Sequence, residues 1–307
     1  MRRTAIILAL AVGLLGLGTL PALALGKFIC APAGRAQIDP IAYHSQAQSP
    51  HNHLFFGNKA LTTSPDPEYA NLVGAGATCD NPDDTAGYWV PDLVWTSGPL
   101  AGQSVQAKRM FAYYRAFDHR NTGFAEPIPP DLRVVVGNPA QPAGTQQDTK
   151  IVNWSCDERS THTGPYPNLD AADCGAASGT VYATTHIDTP TCWDGQYGQR
   201  GDGNTSDNAH LRHVVGGTCP AGFDHRIAEL RMTVKWGDGT AAFWRQGSVA
   251  LASDVMQRDM GNPVAAGQTL HGDFWNTWVQ TGGAHGGMEG MVRSCIVSPS
   301  KPGWCNA

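Results

Sequence analysis

The chain has 307 residues, a formal net charge of −5 and only 15% charged residues. That excludes the basic footprint of a nucleic-acid binder and the polybasic patch that holds a protein to an acidic membrane. Its 36 glycines, 21 prolines and 9 tryptophans describe instead a turn-rich chain with many flat rings, the composition of a β-rich extracellular domain able to stack on sugars.

At the N-terminus Arg2 and Arg3 precede an apolar run, residues 5–20, and Ala22-Leu23-Ala24 supplies a small-x-small cleavage site. Residues 1–24 therefore read as a signal peptide, with the mature chain starting near Leu25 and exported from the cell. A retained membrane anchor is the competing reading of that run; no later segment is apolar enough to span a bilayer. Residues 25–307 are read as one secreted domain with an adequate core. In an oxidising exterior the eight cysteines make four disulfides. Sequence neighbours pair as Cys156 with Cys174, Cys192 with Cys219 and Cys295 with Cys305, which leaves Cys30 for Cys79.

His51-Asn52-His53 places two imidazoles on one face of an extended backbone, about 7 Å apart. Strand-like segments follow at 88–95, 109–117, 132–136, 150–154, 181–186, 227–235 and 240–252. Loops rich in Gly, Pro, Asn and Asp separate them at 58–84, 121–130, 138–149 and 197–208. Period two puts Arg109, Phe111, Tyr113 and Arg115 on one face. Trp236-Gly237-Asp238-Gly239 predicts a hairpin between 227–235 and 240–252. His271-Gly272-Asp273-Phe274 repeats the two-residue spacing, at a strand end or at the start of a helix within 267–280. The expected fold is mainly β: an antiparallel, sandwich-like or jelly-roll-like domain with long loops and few short helices, stapled by disulfides.

Six motifs occur in the order typical of one family. They are His51, His53 and Gly57 as H-x-H-x-x-x-G; Tyr88-Trp89-Val90-Pro91; Cys192-Trp193-Asp194-Gly195; His210; Cys219-Pro220; and His271-Gly272-Asp273-Phe274. From about Ile38 to Cys295 the chain resembles the secreted family catalogued as domain of unknown function 1996, known from fungi and bacteria. The resemblance implies a disulfide-bonded extracellular protein associated with cell walls or polysaccharides. It also implies a polar set of His51, His53, Asp194, His210, His271 and Asp273. Relatives often show His-Pro-Val after the Cys-Pro, whereas Asp224-His225-Arg226-Ile227 stands here.

Histidine exchanges protons near neutrality and, when neutral, binds metal. A His beside an Asp gains a fixed tautomer and greater basicity, as general bases require. The polar set thus admits two chemistries. One is acid–base cleavage of a glycosidic bond, by hydrolysis or β-elimination, with Tyr113, Trp193, Trp275 and Trp278 as sugar-binding rings. The other is a non-catalytic wall- or polysaccharide-binding protein whose histidines hold a structural metal or a hydrogen-bond network; either reading needs no cofactor or one divalent metal ion, with His51, His53 and His271 as its ligands if present. No G-x-S-x-G elbow and no H-E-x-x-H occurs, and a histidine brace would need His where Leu25 begins the mature chain. Glycosidases commonly use two carboxylates, for which Asp194 and Asp273 are the best pair. The expected partner is an extracellular polysaccharide or cell wall met by a monomer, with no nucleic acid and no membrane after cleavage.

Overall fold

Along residues 107–115 burial alternates: Met110, Ala112 and Tyr114 point inward, while Arg109, Phe111, Tyr113 and Arg115 are half-exposed, the period-two pattern of a strand with one covered face. The computed structural model describes residues 25–117, 124–157, 159–197, 207–298 and 302–306. The expected signal peptide and parts of the loops 121–130 and 197–208 lie outside the described residues.

The first strands are β1 (Leu25–Cys30), β2 (Pro32–Ala36), β3 (His53–Gly57), β4 (Gly87–Pro91) and β5 (Leu93–Trp95). Next come β6 (Ala107–Arg115), β7 (Arg133–Gly137), β8 (Val152–Ser155), β9 (Val181–Asp188) and β10 (Cys192–Trp193). The last are β11 (Leu211–Arg212), β12 (His225–Arg226), β13 (Glu229–Gly239), β14 (Val249–Leu251) and β15 (His271–Trp275). Two five-stranded sheets result, in the orders β1-β6-β13-β9-β8 and β2-β3-β4-β15-β7. Every pairing within them is antiparallel.

The sheets face each other across one apolar layer. Phe28, Met110, Leu230, Met232 and Ile187 of the first meet Leu54, Phe56, Val90, Val134 and Phe274 of the second. The approach is close at Gly272, where an added Cβ would stand 2.7 Å from Ile187 and Met232 side-chain carbons. A second, smaller cluster of Ile41, Phe55, Leu61, Leu72, Trp89 and Trp275 lies on the other face of the second sheet, under the segments 37–50 and 59–73. Both faces of that sheet are therefore covered, and every residue of β3, β4 and β15 is buried.

The mainly β, antiparallel architecture agrees with the sequence reading, and so do all four disulfides: Cys30–Cys79, Cys156–Cys174, Cys192–Cys219 and Cys295–Cys305. Two segments are corrected. The Asp-Gly pair makes no hairpin: β13 runs through Gly239, and Thr240 then caps a short helix, Ala241–Trp244, its hydroxyl accepting from the Phe243 N–H. Gly237, at φ 91°, leaves room for Trp244, which a Cβ there would meet at 2.7 Å. The run 267–280 opens no helix, because β15 is claimed on both sides by β4 and β7. His271 and Asp273 consequently share one face.

Candidate functional site

Register brings the distant histidines together. His53 of β3 stands opposite Pro91 of β4. Asp273 of β15 stands opposite Trp89, so two residues further along the same ladder His271 flanks Pro91 from the other side. Strands lie about 4.8 Å apart, which separates the two backbones by roughly 10 Å. The compact proline lets both rings lean over it, to 5.8 Å between centroids. His51, two residues before His53, closes the group with centroids 4.4 Å from His53 and 5.1 Å from His271. One ring nitrogen from each lies within 4.8 Å of the other two.

The segment 37–50 roofs this group and is pinned at its neck. The Ser49 N–H donates to the Gln37 carbonyl at 2.8 Å, and the Gln37 amide donates to the Ser49 carbonyl at 3.0 Å. Ser49 Oγ donates to the His51 carbonyl at 2.6 Å. Under the roof His51, His53 and His271 are 6%, 0% and 2% exposed.

Tautomers follow from the partners. His53 Nδ1–H donates to the Ile38 carbonyl at 2.9 Å and His271 Nδ1–H to the Thr269 carbonyl at 2.9 Å, which leaves both Nε2 atoms as lone pairs. His51 Nε2 meets His271 Nε2 at 3.2 Å and must be the donor. His53 Nε2 and His51 Nδ1 then remain buried with no hydrogen-bond partner among the described residues. Burial, and next the neighbouring His271, push His51 down to about 3. Burial pushes His271 down to about 4 against the Thr269 bond, and holds His53 well below its ordinary value. All three rings are neutral at pH 7, as metal ligands must be. Imidazoles whose second nitrogen is fixed on a carbonyl are the usual arrangement around a bound ion.

Two carboxyls share the roofed face. Asp39 Oδ1 accepts from the Ile41 and Ala42 N–H groups, each at 3.0 Å, yet burial pushes its carboxyl up to about 6. Asp273 is fully buried with both oxygens unpartnered among the described residues. Burial first, then Asp39, holds it well above the carboxylate range. It does not orient His271, whose Nδ1 is taken by Thr269. Sequence reasoning missed Asp39; the signal was Asp39-Pro40-Ile41, an Asx turn leading into an apolar residue.

The other proposed residues lie elsewhere. Asp194 and His210 find each other beside the small sheet β11-β10-β12: His210 Nδ1 meets Asp194 Oδ2 at 2.8 Å, with side chains 24% and 17% exposed. The His210 bond helps to hold the Asp194 carboxyl low, against its own desolvation. Trp193, half-exposed, packs on Tyr197 and His225 at 5.3 and 5.2 Å between centroids, and His225 is bonded to Glu126 at 2.9 Å. Tyr113 is half-exposed on the outer face of the first sheet. Trp275 and Trp278 are corrected as sugar platforms, since both are fully buried. Trp275 donates to Asp131 at 2.7 Å inside the small cluster, and Trp278 donates to Tyr114 Oη at 3.0 Å in the main core.

No curated protein and no solved structure matches the chain. The family described as domain of unknown function (DUF1996) matches residues 39–278, a span that opens at Asp39 and includes all three clustered histidines. The chain belongs to the DUF1996 family.

Proposed function

We propose that the protein is an exported polysaccharide-binding protein in which His51, His53 and His271 hold one divalent transition-metal ion as an internal cross-link. The observation that carries this reading is the convergence of three neutral, buried imidazoles, two of whose ring nitrogens have no hydrogen-bond partner among the described residues. An all-nitrogen set suits zinc, copper, nickel or iron. Bound there, the ion supplies ligand bonds joining β3, the segment before it and β15. Near-complete burial supports a structural role, because a polymer has no path to rings 0–6% exposed. Four disulfides are compatible with an oxidising exterior, and low charge with exposed aromatic rings supports sugar binding.

Elemental analysis of untagged protein tests the metal, with about one equivalent expected. His53→Ala should lose the ion and lower the melting temperature while leaving polysaccharide pull-down intact. Less than about a tenth of an equivalent after incubation with zinc, copper, nickel and iron salts would sink the assignment.

One observation favours cleavage as a second reading. The Asp194–His210 pair is partly exposed, stands close to Trp193, and has the geometry of an oriented general base. Release of reducing ends that His210→Ala abolishes and His53→Ala does not would select it.

A further inference from the structure

The net charge of −5 predicts no basic footprint, yet strand register gathers cations on the outer face of the first sheet, a local clustering that a whole-chain sum does not reveal. A hollow of about 430 Å³ there is lined by Lys27, Phe111, Tyr113, Arg159 and Lys235, with His186 in its floor. A second hollow, of about 420 Å³, adds Lys150 and Arg231 and shares His186, so the two join into one trough.

Strand register builds the trough. Phe111 stands opposite Thr233, Thr233 opposite His186 and His186 opposite Asn153, a row across four strands spanning about 14 Å. The neighbouring row sets Lys27 opposite Tyr113 and Tyr113 opposite Arg231. The Phe111 and Tyr113 rings lie 5.9 Å apart and only 22° from parallel, forming a flat platform. Lys27, Arg109 and Lys235 each stand within 5.8 Å of the Phe111 centre. His186 is fixed between Ser155 Oγ at 3.1 Å and Thr233 Oγ1 at 3.3 Å.

The charges do not cancel. Asp157 is taken by Lys235 at 2.8 Å, and Asp188 by Arg231 at 2.6 Å and Arg115 at 3.1 Å. Lys27, Lys150 and Arg159 form no ion pair with a carboxylate among the described residues. A platform of two rings beside uncompensated cations offers apolar contact to the faces of pyranose rings and charge to anions spaced along a chain. We propose that this trough binds an acidic polysaccharide, its sugar rings lying on Phe111 and Tyr113 and its carboxylate or sulfate groups taken by Lys27, Lys150 and Arg159. The assignment rests on the polysaccharide-binding reading and names the substrate class.

Calorimetry at low salt with a short oligogalacturonate, a sulfated oligosaccharide and a neutral cello-oligosaccharide tests it on the secreted chain. The acidic ligands should bind with an affinity that falls as salt rises, and the neutral one should not. Preference between the two acidic arms identifies carboxylate or sulfate as the recognised group. Lys27→Ala with Arg159→Ala, and separately Phe111→Ala, should weaken binding at least about tenfold at an unchanged melting temperature. Equal affinity for neutral and acidic ligands, or variants within about twofold of the parent, would overturn the trough while leaving polysaccharide binding in place. Failure to bind any of the three ligands would overturn both.

Discussion

Asp84 shows what burial does to one side chain. It accepts from Tyr88 Oη at 2.8 Å, Tyr88 Oη meets Tyr114 Oη at 2.6 Å, and Trp278 donates to Tyr114 at 3.0 Å. Inside this aromatic nest burial pushes its carboxyl up to about 8 from an ordinary 3.8, against the bond from Tyr88. Between those values the folded protein keeps a proton that the unfolded chain has released, so the group stabilises fully below pH 3.8 and loses its contribution as pH rises toward 8. Urea titrations across that range should show Asp84→Asn with a shallower fall in unfolding free energy than the parent; parallel slopes would refute the assignment. The meeting of His51, His53 and His271 was half legible, because spacing by two puts both members of a pair on one face only where the backbone is extended. Asp39 was not, because one Asp in a turn has no periodicity to betray it. Trp275 and Trp278 were misread because composition counts rings without saying which are covered: Trp275 lies in the small cluster on the roofed face and Trp278 in the main core.

Element boundaries depend on capping as much as on pattern. After Gly239 the sequence remains apolar enough for a strand, but the Thr240 hydroxyl accepts from the Phe243 N–H at 3.2 Å and Asp238 accepts from the Thr240 N–H at 2.8 Å. These side-chain bonds redirect the backbone into a helical turn that drops Trp244 against Gly237. Thr240→Ala should cost about 0.5–2 kcal/mol, read as a lowered denaturation midpoint. Thr240→Ser, which keeps the acceptor, should restore most of it. β15 was ambiguous for a different reason: a strand covered on both faces shows no alternation of polar and apolar residues, so five buried positions look alike whether helical or extended. Its register against β4 settles the state, and that pairing spans nearly two hundred residues, beyond any local window.

For the whole molecule the disulfide framework was legible because neighbours in sequence were also neighbours in space. The stabilising effect of each bridge grows with the loop it closes. Cys30–Cys79, with a separation of 49 residues, closes the longest of the four, worth roughly 4 kcal/mol of unfolded-state entropy. Replacing that pair by serines should therefore lower the melting temperature more than replacing Cys295 and Cys305, which are separated by 10 residues; the reverse order would show that chain entropy does not govern these bridges. The three-imidazole cluster closes a far longer span, since 220 residues separate His51 from His271. A clip of that reach cannot assemble on a nascent or truncated polypeptide, whose last nitrogen has yet to be synthesised. Metal captured there would record that synthesis had passed residue 271, and would be missing from every fragment cut short of it.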